Sequence, residues 1–103
     1  MAKREVIEIL EKYIRLLKAE GITVEKAFLY GSYLSNTATN DSDIDLMIVI
    51  ENENDDLLAG KIWSLTKRVN SKIEPYLVGT NRFYTTENSP LIDVVKRNGL
   101  EIV

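Results

Sequence analysis

The sequence predicts an α/β (α+β) fold, a small mixed β-sheet flanked by helices, as one domain over residues 1–103. Three observations carry this. Residues 3–20 place Val6, Ile9, Leu10, Tyr13, Ile14 and Leu17 at three- and four-residue spacing, the signature of one apolar helix face. The run from Asp43 to Ile50 is almost continuously apolar after its opening aspartates and is bounded by turn formers, as a buried strand is. Along the chain the order reads helix, strand, loop, strand, helix, strand, helix, which calls for a mixed sheet covered by helices.

Element by element, Gly21 can end the first helix. Val24 to Tyr30 forms a first strand that Gly31-Ser32 ends, and "SYLSNTATND" has room for only a short helical turn after Ser32. Asp43 to Ile50 is the second strand. The acidic "ENENDD" is a solvated connection into a helix from about Asp56 to Asn70, striped by Leu58, Ile62, Leu65 and Val69. Lys72 to Val78 is a third strand. Pro75 within it cannot donate to a ladder, so this strand belongs at an edge or carries a bulge. The polar stretch "GTNRFYTTENS" is predicted as a loop, Pro90 opens a short helix that Gly99 ends, and "LEIV" can form a last strand.

At 103 residues the chain can bury roughly two thirds of its unfolded surface in one core. Its 45% hydrophobic and 28% charged residues are those of an ordinary globular protein. With no cysteine and no histidine, thiolate and imidazole metal sites are excluded, so a metal here binds oxygen, which suits magnesium, calcium or manganese. A net charge of −3 argues against general nucleic-acid or anionic-membrane binding. The stretch "MAKREVIEILEKY" lacks the apolar run of a secretory signal, and no segment reaches the length that spans a bilayer, so the expectation is a cytoplasmic protein.

The informative segment is "FLYGSYLSNTATNDSDIDLMIV", residues 28–49. Side chains alternate along a strand, so Asp43 and Asp45 share a face about 6.5 Å apart while Ile44 and Leu46 enter the core. Like charges this close repel unless a cation lies between them. Two such carboxylates can converge on a pair of metal ions about 3.5–4 Å apart, the arrangement that clamps an in-line phosphoryl displacement. Taken alone, "NDSD" also reads as a solvated turn. An EF-hand is excluded, because Leu46 stands where glycine is needed and Asn52 where a bidentate glutamate is needed. Gly31 lets the backbone approach a phosphate, and the Ser32 hydroxyl with the amides of a following turn can bind its oxygens. On its own the pair is a weak signal, since a glycine-serine turn after a strand is far more often simple turn chemistry.

The joint pattern, Gly31-Ser32, ten residues, then Asp43-x-Asp45, resembles the signature of the DNA polymerase beta-like nucleotidyltransferase superfamily, and the chain's size is similar to its minimal nucleotidyltransferase (MNT) branch. The signature spans residues 31–49, and the order of elements extends the likeness over nearly the whole chain. The resemblance implies a polymerase beta-like fold in which Asp43 and Asp45 hold two magnesium ions that bind ATP, Gly31 and Ser32 hold its phosphates, and a third acidic residue on a later strand completes the metal and catalytic set. Glu74 in "SKIEPYLV" fits that last place, since the proline after it favours an extended backbone. A charged residue on an edge strand is also a device against aggregation. The resemblance further implies transfer of AMP to a hydroxyl, with a HEPN toxin as partner and acceptor, the chain being the antitoxin. The alternative is an antitoxin or nucleotide-sensing module that neutralises its partner by contact alone.

The sequence departs from the pattern in two ways. Many relatives carry a basic residue soon after the Gly-Ser turn, where this chain has Tyr33, Leu34 and Ser35, and they more often have aspartate where Glu74 stands. Arg82, Lys67 and Arg68 read as solvated surface charges and Asp41 as a turn residue. Trp63, opposite much of the third helix's apolar stripe, is better placed to meet a partner protein than to stack on a base.

Overall fold

Residues 1–85 and 89–103 are described by a computed structural model. Its elements are α1 (Lys3–Ala19), β1 (Lys26–Tyr30), a single turn α2 (Ser32–Ser35), β2 (Ile44–Ile50), α3 (Asp56–Leu65) continued by a 3-10 turn (Thr66–Arg68), β3 (Ile73–Gly79), α4 (Thr80–Tyr84), α5 (Pro90–Asn98) and β4 (Leu100–Glu101). The sheet is four-stranded in the order β3-β2-β1-β4, with β1 antiparallel to both neighbours and β2 parallel to β3. This is the predicted mixed sheet.

Helix ends follow local chemistry. Asp55 caps α3 by accepting from the Leu58 amide at 3.0 Å, and Ser89 caps α5 ahead of Pro90. Gly21, at φ +81°, turns the chain out of α1. Pro75 lies in β3, which is an edge strand, as the missing donor requires.

Two apolar layers sandwich the sheet. One face of β1 and β2 sends Ala27, Leu29, Ile44, Leu46 and Ile48 against α1 and α3, and there the buried Tyr13 hydroxyl donates to the Ile62 carbonyl. The other face sends Phe28, Met47 and Val49 against Phe83 of α4 and Ile92 and Val95 of α5. Burial on both faces explains why β2 reads as a continuous apolar run.

Two expectations are corrected. The stretch from residue 79 was predicted as a polar loop, yet Gly79 ends β3 and Thr80–Tyr84 is helical. The physical reason is Phe83, which is buried and stacks on Phe28 with ring centroids 5.6 Å apart, so tertiary packing overrides a polar local sequence. The part of that stretch at 86–88 lies outside the described residues. The predicted helix to Asn70 is also shorter, since its last turn tightens into the 3-10 form after Leu65. No helix among the described residues is long and apolar enough to cross a membrane.

Candidate active site

The helices α4 and α5 cover only part of their face of the sheet. The row beyond Phe28 and Met47 stays open, and its three side chains are set by strand register: Tyr30 on β1 pairs with Asp45 on β2, which pairs with Glu74 on β3. Because Asp45 begins the exposed end of an otherwise buried strand, the apolar run that anchors β2 also fixes the carboxylate's position. Asp43 precedes the strand by one residue, is exposed, and hydrogen-bonds Glu74 side chain to side chain. The structure thus brings Asp43, Asp45 and Glu74 together on one face.

Gly31 follows Tyr30 and leads into α2, in a backbone conformation of φ +79° and ψ −153°. A Cβ at this position would clash with Asp45 Oδ2, so the turn passes against the carboxylate with no room for a side chain. The amides of Leu34 and Ser35 already donate to the Gly31 carbonyl, both at 3.1 Å. Those of Ser32 and Tyr33 belong to the first turn and have no acceptor within the helix. Gly31 and Ser32 therefore line the β1 side of the acidic row, as a phosphate-holding turn would.

The electrostatics are those of crowded like charges. Glu74 is pushed above the usual carboxylate range, first by its hydrogen bond with Asp43, then by desolvation and the charges of Asp43 and Asp45. Asp45 is raised by partial burial and by Asp43. The Tyr30 phenol is pushed up to about 12 by burial and by Asp45, Glu74 and Tyr76. All the carboxylate donors are oxygens, and crowding disfavours the anions of Asp45 and Glu74, so their chemistry fits a hard divalent cation. Among the described residues no group of three or more carboxylates is gathered closely enough to hold an ion as it stands.

Three neighbours were not singled out from sequence. Tyr30 is in register with Asp45; Tyr76 and Lys72 stand two residues either side of Glu74 and so share its face. Their position relative to the D-x-D strand was the available signal, and reading it required the pairing of strands. Arg82, expected as a free surface charge, is tied at the rim of this face, donating to Glu53 at 2.9 Å and to the Tyr76 hydroxyl at 3.4 Å. Lys67 and Arg68 sit in the 3-10 turn after α3, in the helical layer across the sheet. Asp41 lies in a turn, donating its amide to Thr39 Oγ1. Trp63 is 46% exposed.

A family model described as Polymerase beta, Nucleotidyltransferase matches residues 6–97. Among solved structures, a crystal structure from Sulfolobus solfataricus, assigned as a nucleotidyltransferase, superposes with a TM-score of 0.57 at 10% identity, covering 78% of this chain and 72% of that one. At that identity the likeness is one of fold. No curated protein matches the sequence. With the family model spanning nearly all of the chain, and the Gly31-Ser32 turn set against Asp45 where the polymerase beta-like signature requires it, the chain belongs to the polymerase beta nucleotidyltransferase family.

Proposed function

We propose that this protein transfers AMP from ATP to a hydroxyl on a partner protein, and that the partner is a HEPN toxin which the transfer silences. The observation that carries the catalytic part is the row across β2 and β3: Asp45 in register with Glu74, Glu74 hydrogen-bonded to Asp43, and the Gly31 turn pressed against Asp45. Asp43 and Asp45 would hold two magnesium ions, with Glu74 completing the set; magnesium supplies charge neutralisation for the triphosphate and its leaving pyrophosphate. The chain's own residues do the rest. Gly31 and Ser32 hold the phosphates through backbone amides and the Ser32 hydroxyl. Glu74, exposed and held above the usual carboxylate range first by its hydrogen bond with Asp43, takes the proton of the attacking hydroxyl. The acceptor's oxygen bonds to the α-phosphorus as the bond to pyrophosphate breaks.

Asp43 and Glu74 are exposed, which suits an acceptor presented by a second protein better than a small molecule enclosed by this one. The identity of that partner rests on the resemblance of the motif to that of MNT antitoxins. The test is label transfer from α-phosphate-labelled ATP with magnesium in an extract of the source cells, wild type beside Asp43→Asn. A labelled protein band that requires Asp43 is expected, and its identification names the acceptor. No label, with a partner still co-purifying, would replace catalysis by neutralisation through contact.

A further inference from the structure

Resting on that reading of the carboxylates, we propose that Lys72 is a positioning residue that holds the turn carrying Asp43. The β2–β3 ladder begins with Ile44 paired to Ile73, and Asp43 and Lys72 are the residues that immediately precede this pair. The Ile44 amide donates to the Lys72 carbonyl at 2.8 Å, so the two backbones are in direct contact there. The Lys72 ammonium donates to the carbonyl of Asn40, three residues ahead of Asp43. Among the described residues it forms an ion pair with no carboxylate.

The turn it grips is closed by its own bonds, with the Thr39 amide donating to Ser42 Oγ at 2.8 Å and the Ser42 amide to the Thr39 carbonyl at 3.1 Å. Thr39, Asn40 and Asp41 are all exposed, so those bonds fix the turn's shape and leave its angle to the sheet unset. Lys72 supplies that angle, and its own backbone is secured to do so. The Lys72 amide donates to Asn70 Oδ1 at 2.9 Å, the Ile73 amide to the Asn70 carbonyl at 3.1 Å, and the Asn70 amide to Thr66 at 2.8 Å. A cation anchored at the start of β3 thereby reaches across to the loop that feeds Asp43 into the acidic row. Partners that orient a metal ligand without touching the metal typically alter affinity by about 10–100-fold.

The experiment is a thermal-shift titration of magnesium at fixed α,β-methylene-ATP, using the full chain as wild type, Lys72→Met and Lys72→Arg. The expected result is a magnesium midpoint raised about tenfold in Lys72→Met and returned close to wild type in Lys72→Arg, with metal-free melting temperatures nearly equal. An unchanged midpoint in Lys72→Met overturns the inference, as does a lowered metal-free melting temperature with no change in midpoint, which marks a merely structural lysine. Arginine failing to restore the midpoint counts against the hydrogen bond as the cause. A wild type that shows no magnesium response removes the metal reading itself, and the role of Lys72 falls with it.

Discussion

Gly31 and Asp45 are packed so closely that a Cβ on Gly31 would clash with Asp45 Oδ2 and lie 3.0 Å from its Cγ. The same glycine holds φ +79° and ψ −153°, a region that side-chain-bearing residues avoid. Gly31→Ala therefore meets two penalties at once, backbone strain and a clash with a carboxylate. A loss of about 1–3 kcal/mol is expected from the strain alone. Removing the obstructing side chain separates the two: Asp45→Ala in the Gly31→Ala background should recover part of the stability, leaving the strain. Thermal denaturation of the single and double variants measures both, and an additive pair would sink the claim of close contact.

The acidic row is costly without a counter-ion, and this has a sign. Asp45 is held above the usual carboxylate range by burial and by Asp43. Asp45→Asn should therefore raise the metal-free melting temperature at neutral pH while abolishing the stabilisation that magnesium and ATP confer on wild type. A variant less stable than wild type in the absence of metal would contradict the charge argument.

The pH dependence follows from the same shifts. Glu74 and Asp45 bind protons more tightly folded than unfolded. Their contribution is fully present at pH below the unfolded carboxylate values and is lost as pH rises through the raised folded ones. In metal-free protein the difference in melting temperature, Glu74→Gln minus wild type, should thus become more positive between about pH 4 and pH 7. A difference that is flat or falls over that interval would show that the carboxylates do not interact as described.

For Glu74 in catalysis, replacement by glutamine keeps size and removes the base. The expected loss in kcat is about 10²–10⁴-fold, with nucleotide binding largely retained. A raised KM with unchanged kcat would reassign Glu74 to binding.

Away from the site, Tyr13 offers a control on the fold. Its hydroxyl is buried and donates to the Ile62 carbonyl, tying α1 to α3, and burial raises its pKa above the usual phenol value. Tyr13→Phe should cost about 1 kcal/mol, a fall of about 4–8 °C in a domain of this size, with the magnesium response intact.

Much of this was legible in the residues because local and tertiary preferences agree. The apolar stripe of α1, the proline on an edge strand and the alternation of Asp43, Ile44, Asp45 and Leu46 each mean in the structure what they mean in the sequence. The grouping of the three carboxylates was reachable because Asp43 and Asp45 stand two residues apart at the head of one strand and Glu74 lies on the next. What escaped depends on pairing. Neither Tyr30 beside Asp45 nor Lys72 beside Asp43 is visible until strand neighbours and register are known. Helix α4 escaped for a related reason: "TNRFY" opens with three polar residues, and the stacking of Phe83 on Phe28 of β1 fixes it against the sheet.

The central claim is that Asp43, Asp45 and Glu74 form a divalent-metal site for nucleotide chemistry. The most direct measurement is anomalous diffraction from crystals soaked with manganese and α,β-methylene-ATP. The account predicts peaks between Asp43 and Asp45, with the phosphates lying against Gly31 and Ser32. Nucleotide bound elsewhere, or an acidic row that stays free of manganese when nucleotide is bound, would contradict it.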